Sequence, residues 1–179
     1  IDKRFLSPHY DPKGEFSVPY SWGRVGIIYN KKLTGKEITS IDELWDSTYA
    51  GQILMFKNPR DAFALALERL GYSMNTEKKD ELDQAAELLK EQKPLVQAYV
   101  MDQIFDKMQG NEAIIAPYYV GDYFIMKKVN PDLACYVSDR ANVYFDATCI
   151  PKVSTQNEAA EMYINFLNEP NVARENALY

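Results

Sequence analysis

The chain has 179 residues, of which 46% are hydrophobic and 26% are charged, so it is long enough for one globular domain or one large lobe of a longer protein. Its net charge of −6 and sequence pI of about 4.9 argue against nucleic acid as a partner, because phosphate binding needs a basic surface. No apolar run has the length of a membrane span, and no charged and then apolar segment marks a signal peptide.

The first part of the chain contains a strand and a short helix. Ser40 is followed by Glu43 at the spacing of a capping box, which favours a helix that begins after Ser40. We predict irregular structure over 1–19, a strand over 24–30, a turn over 31–36 and a short helix over 39–45.

A strand, a loop and a helix follow one another between residues 52 and 71. The apolar run 52–56 is typical of a short buried strand. Asn58 can cap a helix, and Pro59 suits its first position. Asp61 then lies in the first helical turn, at the carboxyl end of a strand, where open α/β sheets bind their ligands. The plainer interpretation is that Asp61 only complements the helix dipole.

Strands and helices continue to alternate after residue 76. This alternation predicts an α/β fold with a mixed, mostly parallel sheet and helices on both faces. We predict strands over 96–100, 113–117, 133–137 and 143–150, a loop leading into a helix at 118–122, and helices over 77–91, 102–109, 123–128, 156–167 and from Pro170 onward.

Three groups of side chains at strand ends are candidate ligand-binding groups. Aromatic faces attract ammonium ions, and carboxylates form charge-assisted hydrogen bonds with N–H donors. Together these groups suit an organic polyamine, although they are also ordinary packing residues at strand ends. The three groups are Asn58 with Asp61, Tyr118 with Tyr119, and Tyr144 with Phe145 and Asp146.

The two cysteines and the single histidine make a zinc site improbable. Cys135 and Cys149 each lie in an apolar, strand-like run, so we expect buried thiols, with a disulfide as the alternative. The usual motifs of serine hydrolases, zinc proteases and nucleotide-binding enzymes are absent from the sequence, and no cofactor is expected. Asp61 and Asp146 as a glycosidase pair is the least favoured interpretation.

An ordered set of motifs resembles the bacterial polyamine-binding proteins, the spermidine/putrescine receptors of ABC importers. The resemblance covers nearly the whole chain, and each motif alone is less specific than the ordered set. The motifs are 18–23 before a strand that ends in Tyr29-Asn30, 40–45, 69–76, 108–110, 145–147 before Ile150-Pro151, and 160–167 before 170–173.

This resemblance implies a periplasmic-binding-protein fold of two lobes that close on a ligand. It implies that residues 20–143 form the second lobe, that 1–19 lead in from the first lobe, and that 144–179 return to it. The chain begins without Met and ends within a helical pattern, so we interpret it as a piece of a longer protein. The implied partners are a polyamine, ABC permease subunits and the missing first lobe.

The resemblance also assigns roles to individual residues. Asp61 and Asp146 match carboxylates that hold ligand amines, whereas Asn58 stands where the family often has a carboxylate. Tyr144 and Tyr119 match aromatic walls, with Tyr118 as the alternative to Tyr119. The implied location is extracytoplasmic, either periplasmic or at the cell surface, through an anchor or a fused permease.

A receptor of the same fold for ferric ion or another small solute is the alternative. The adjacent tyrosines Tyr118 and Tyr119 are the reason, because paired phenolates can ligate iron.

Overall fold

The computed structural model describes residues 3–178, except for the side chain of Arg4. Residues 1, 2 and 179, which belong to the predicted flanking segments, lie outside the described residues. The six strands are β1 (Val18–Asn30), β2 (Ile53–Phe56), β3 (Val96–Val100), β4 (Ile115–Tyr119), β5 (Leu133–Tyr136) and β6 (Val143–Thr148). The helices are α1 (Lys31–Thr34), α2 (Pro59–Arg69), α3 (Lys79–Gln92), α4 (Gln103–Gln109), α5 (Val120–Val129), α6 (Asn157–Leu167) and α7 (Pro170–Leu178), with short 3₁₀ turns at Lys3–Phe5, Ile41–Trp45, Ser47–Tyr49 and Lys93–Leu95.

The chain divides into two compact units. The central unit comprises Gly23–Val143, and the terminal unit combines the residues up to Trp22 with those from Tyr144 onward. Strand β1 contributes residues to both units, and β6 pairs with it.

The sheet of the central unit has the strand order β3-β2-β4-β1-β5. Strand β2 is parallel to β3 and β4, while β1 is antiparallel to β4 and β5. Strands β2, β3, β4 and β5 therefore run in one direction and β1 runs against them. The prediction of a mixed, mostly parallel α/β sheet is confirmed.

The connections place helices on both faces of this sheet. Helices α2 and α3, which pack against each other, connect β2 to its neighbour β3. Helix α4 then connects β3 back across β2 to β4, and it packs against α5. Because crossovers between parallel strands are right-handed, two crossovers in opposite directions lie on opposite faces. The carboxyl ends of β2, β3 and β4 consequently meet at one edge, with helix N-termini on either side.

Burial explains why the central strands form where they do. All four residues of β2 are buried, as a strand covered on both faces requires. The main core joins β2 with the inner halves of β1 and β4 and with single residues from the helices, including Leu65, Ile104 and Met126. A second cluster, centred on Ala66, Leu67 and Ala85, packs α2 against α3.

Several local predictions differ from the structure at the ends of elements. Strand β1 begins at Val18 rather than residue 24, because its first residues pair with β6. The 31–36 turn is a one-turn helix that Asn30 caps. Ser40 does cap a helical turn, by accepting from the N–H of Asp42, but the predicted capping box is wrong, since Glu43 accepts instead from Lys36.

The prediction of a loop at Tyr118 and Tyr119 is wrong, because both residues belong to β4. Their backbones continue the ladder with β1, where Tyr118 faces Gly26 and Tyr119 faces Val25. The backbone hydrogen bonds of this ladder stabilise the strand conformation at residues that the sequence pattern assigns to a loop. Helix α5 starts immediately afterwards, at Val120.

The prediction of two buried thiols is also only partly right. Both cysteines are free, Cys135 in β5 is half-buried, and Cys149 is exposed. Cys149 follows the last residue of β6, so sheet packing does not cover it.

Candidate functional site

The N-terminus of α2 carries the first part of the candidate site. Buried β2 ends at Phe56, and Asn58 caps the helix by accepting from the N–H of Arg60 at 3.0 Å. Pro59 at the first helical position fits this cap, since its missing N–H is not needed there. The sequence therefore predicted the local geometry that brings Asp61 to the carboxyl edge of the sheet.

Three side chains donate to the carboxylate of Asp61. Its Oδ2 accepts from Nδ2 of Asn58 at 2.8 Å and from the hydroxyl of Tyr119 at 3.5 Å. Its Oδ1 accepts from Nδ2 of Asn142 at 3.1 Å. These contacts join Asp61 of α2 to Tyr119 at the end of β4 and to Asn142 in the loop between β5 and β6.

Asp61 is half-buried, and within residues 3–178 it forms no ion pair. Burial raises the pKa of Asp61, while the hydrogen bonds from Asn58, Tyr119 and Asn142 oppose that rise. The three donors are neutral amide and phenol groups that orient the carboxylate, and the charge of the adjacent Arg60 acts on it without an ion pair. A cationic group is the ligand that would compensate the charge of the carboxylate.

Tyr118 and Tyr119 differ in their placement although they are neighbours. The ring of Tyr119 is partly exposed and its hydroxyl reaches Asp61, whereas Tyr118 is only 4% exposed and belongs to the core. Their ring centroids lie 5.1 Å apart, and both rings pack near Phe56. Tyr119 is thus available as a wall of the site, and Tyr118 supports it from the core.

A small cavity adjoins the carboxylate. Its volume of about 10 Å³ is room for about one water molecule, so it is not itself a pocket for an organic ligand. Asp61, Glu68, Ser138 and Asn142 are polar residues of its lining, and Gly26 also lines it. A ligand at Asp61 would therefore lie on the open edge of the unit.

The terminal unit carries the second part of the candidate site. Asp146 in β6 is exposed, and the hydroxyl of Ser21 donates to its Oδ2 at 2.6 Å. Tyr144, two residues earlier on the same strand, is half-buried. The ring of Phe5 lies 5.9 Å from Trp22 and 5.8 Å from Phe145, so aromatic surface occurs in the same unit as this carboxylate.

Sequence reasoning missed two of the hydrogen-bond partners. Asn142 is 81 positions from Asp61, and Ser21 is 125 positions from Asp146. Asn142 lies in an irregular connection with no motif, so nothing local indicated its role. Ser21 belongs to the stretch 18–23 that carries the resemblance, but no local pattern indicates its contact with Asp146.

A carboxylate, an amide and an aromatic hydroxyl that meet at one edge of an α/β sheet are polar groups that suit the binding of a small solute. Residues 2–177 match the family described as bacterial extracellular solute-binding protein. The chain belongs to this family.

Individual proteins and solved structures that are similar to this chain share a more specific description than the family does. The spermidine/putrescine-binding periplasmic protein of Salmonella typhimurium is 32% identical over 177 residues, which are 98% of this chain and 51% of that protein. A solved structure described as a putative spermidine/putrescine ABC transporter from Listeria monocytogenes is 34% identical, with a TM-score of 0.90, over 97% of this chain and 54% of that one. The structure of the Tp0655 (TpPotD) lipoprotein of Treponema pallidum is 28% identical, with a TM-score of 0.89, over 98% of this chain and 57% of that one.

These relatives confirm the fold and the resemblance inferred from the sequence. They are solute-binding proteins of transport systems rather than enzymes, and they are periplasmic proteins or lipoproteins. The chain spans about half the length of the curated relatives that it matches. Within residues 3–178, the helices are too short or too polar to cross a bilayer.

Proposed function

We propose that this chain is part of the solute-binding component of an ABC importer and that the solute is a polyamine of the spermidine or putrescine kind. The observation that carries the proposal is the half-buried carboxylate of Asp61, which has three neutral donors and no ion pair within the described residues. An ammonium group of a polyamine would supply the missing charge. The names of the relatives support the same ligand class.

In this proposal the site residues act in two sets. Asp61 holds one ammonium, Asn58 orients Asp61, and Tyr119 lines the aliphatic chain with Tyr118 packed against it. In the terminal unit, Asp146 holds a second ammonium and Tyr144 provides a further aromatic wall. Flat aromatic faces suit a polyamine, because they cover its methylene groups and also attract its charges.

We propose further that residues 20–143 form the second lobe and that the flanking segments join a first lobe outside this chain. Helix α6 supports this arrangement, because it has no buried residue and exposes Met162, Tyr163 and Phe166 on its surface. An apolar helix face of this kind needs a covering partner. The lobes would close on the ligand, and the closed form would engage ABC permease subunits at the outer side of the membrane, held there by an anchor or a fused permease.

Calorimetric titration with spermidine and with putrescine tests the ligand class. The titrations use this chain and the two-lobed protein that includes it. The two-lobed protein is expected to bind, and Asp61→Asn and Asp146→Asn are each expected to weaken binding by roughly tenfold or more, the effect of one lost hydrogen bond between charged groups. Asp83→Asn, on the exposed surface of α3, is the control for the change in net charge. A folded two-lobed protein that binds neither polyamine would refute the proposal.

A further inference from the structure

The loop between β5 and β6, residues 137–142, carries a polar side chain to which the proposed function gives no role toward the ligand. Nδ2 of Asn142 donates to Oδ1 of Asp61 at 3.1 Å. Both residues belong to the central unit, and Asn142 directly precedes β6. Asn142 therefore lies beside the carboxylate to which we assign a ligand ammonium.

Two hydrogen bonds hold this loop against the rest of the central unit. The carbonyl oxygen of Asn142 accepts from the N–H of Val25 in β1 at 3.0 Å. The guanidinium of Arg140 donates to the carbonyl oxygen of Tyr72 at 2.8 Å. A side chain whose supporting backbone is fixed in this way is well placed for a precise contact, so the loop preorganises Asn142 toward Asp61.

The carboxylate of Asp61 determines which end of the Asn142 amide faces it. An ionised carboxylate only accepts hydrogen bonds, so the NH₂ end must point to Asp61 and the oxygen must point elsewhere. Within residues 3–178, no group donates to Oδ1 of Asn142, and the side-chain atoms that are fully buried without a partner belong to Glu43 and Gln92. Oδ1 of Asn142 is therefore accessible and can accept from a bound ligand.

A single ammonium group can reach both Asn142 and Asp61. The oxygen and nitrogen of one amide lie about 2.3 Å apart by its bond lengths, and Nδ2 lies 3.1 Å from Oδ1 of Asp61. Oδ1 of Asn142 is thus at most about 5.4 Å from Oδ1 of Asp61. Charge-assisted hydrogen bonds are about 2.8 Å long, so one ammonium nitrogen between two acceptors can span about 5.6 Å.

We propose that Asn142 is a further specificity-determining residue of this site, whose Nδ2 holds Asp61 and whose Oδ1 accepts an N–H from the same ligand ammonium. This inference rests on the proposed function, which assigns an ammonium to Asp61. An ammonium with two or three N–H groups satisfies both acceptors, whereas a tertiary ammonium has one donor and a quaternary ammonium has none. Aromatic faces alone also attract quaternary ammonium ions, so the amide and the carboxylate together select ammonium groups that carry several hydrogens.

The test compares putrescine with N,N,N′,N′-tetramethylputrescine by calorimetry on the two-lobed protein. Each end of the methylated diamine keeps a single N–H, whichever end lies at Asp61. Asn142→Leu replaces the amide by an apolar group of similar size. We expect methylation to weaken binding by a factor that is about tenfold smaller in Asn142→Leu than in the wild type, because the variant has no second acceptor to leave unsatisfied.

Gln97→Leu is the matched control for this substitution. It also removes an exposed amide that donates one hydrogen bond, to the carbonyl oxygen of Glu112 at 2.9 Å, but it lies at the amino end of β3. The effect of methylation in Gln97→Leu is expected to equal that in the wild type. Asn142→Ala, which adds no bulk to the loop, is expected to behave as Asn142→Leu does, and thermal unfolding checks that each variant is folded.

The outcomes separate a ligand contact from a merely positioning role. If Asn142 only positions Asp61, its substitution weakens both diamines by the same factor, and this result would overturn the acceptor role while leaving the proposed function intact. Equal affinity of the wild type for the two diamines would overturn it as well, without reference to any variant. A folded wild-type protein that binds neither diamine would refute both proposals.

Discussion

The side chain of Asn58 performs two tasks at once, because its oxygen caps α2 while its amide donates to Oδ2 of Asp61 at 2.8 Å. The resemblance to polyamine-binding proteins implies a carboxylate at this position. Here an amide replaces it and holds the remaining carboxylate in place. The two tasks can be separated by substitution.

Replacing Asn58 by alanine removes both the cap and the donor, and we expect a loss of about 1 kcal/mol in the free energy of unfolding, as for other N-caps. Asn58→Ser keeps an N-cap oxygen but removes the amide donor, so it should retain most of the stability. Urea denaturation of both variants measures the difference. Equal stability of the two variants would contradict the capping role.

Polyamine binding should depend on pH through Asp61. Burial raises the pKa of Asp61 above its ordinary value of 3.8, and only the ionised form attracts an ammonium group. We therefore expect the affinity to fall as the pH is lowered through this raised pKa, earlier than an exposed aspartate would cause. Calorimetry between pH 7 and pH 4 measures this, and in Asp61→Asn this part of the pH dependence should disappear.

Folding stability should respond to Asp61 in the opposite direction. Because the folded state holds the proton more tightly than the unfolded state, the stabilising contribution of Asp61 is fully present below pH 3.8 and is lost as the pH rises through the folded pKa. Denaturation of the wild type and Asp61→Asn over the same pH range checks this sign. A pH profile that is the same in both proteins would show that Asp61 is not the group responsible.

Gly26 is required by close packing between β1 and β5. A Cβ at this position would lie 2.7 Å from Sγ of Cys135, 3.0 Å from the carbonyl oxygen of Tyr136 and 3.1 Å from Cγ2 of Val120. Gly26→Ala should therefore cost about 1–3 kcal/mol, the usual cost of overpacking. Gly121→Ala is the control, because its Cβ meets no atom within 4 Å and α5 should gain up to about 1 kcal/mol from the better helix former.

The two thiols should differ in reactivity. Burial raises the pKa of Cys135 to about 11, so its reactive thiolate is scarce at neutral pH, whereas Cys149 is exposed. Iodoacetamide at pH 8 should modify Cys149 well before Cys135, as mass spectrometry of timed samples would show. Removing Cys149 by substitution with serine should eliminate the fast phase. Fast modification of Cys135 in that variant would contradict the packing of β5.

Ferric ion should not give a coloured complex with the tyrosine pair. Burial raises the pKa of Tyr118 above its ordinary value of 10.0, and nearby carboxylates raise it further, so the phenol stays protonated and is a poor iron ligand. Titration with ferric citrate, followed by visible absorbance, measures this. A tyrosine-to-iron absorption band that is lost in Tyr118→Phe would favour the iron receptor over the polyamine receptor.

Local patterns were sufficient for much of the central unit. The predicted strand at 52–56, the cap at Asn58 and the helix that begins at Pro59 are all confirmed, because they depend on neighbouring residues. The alternation of strands and helices predicted the mixed α/β sheet for the same reason. Local patterns predict the ends of elements less well. They assign Tyr118 and Tyr119 to a loop, whereas both residues belong to β4.

The sequence by itself determined that Asp61 follows the end of its strand, and the resemblance determined the ligand class to be tested. The predicted strand-end position of Asp146 is wrong, because pairing with β1 extends β6 past it to Thr148. Tertiary structure alone decided which groups surround Asp61, because Asn142 reaches it from a distant loop. It also decided that the hydroxyl of Tyr119 reaches Asp61 while the neighbouring ring of Tyr118 is buried in the core. Neighbouring residues specify a helix cap or a buried strand, but strand pairing and crossovers specify which distant side chains share a sheet edge.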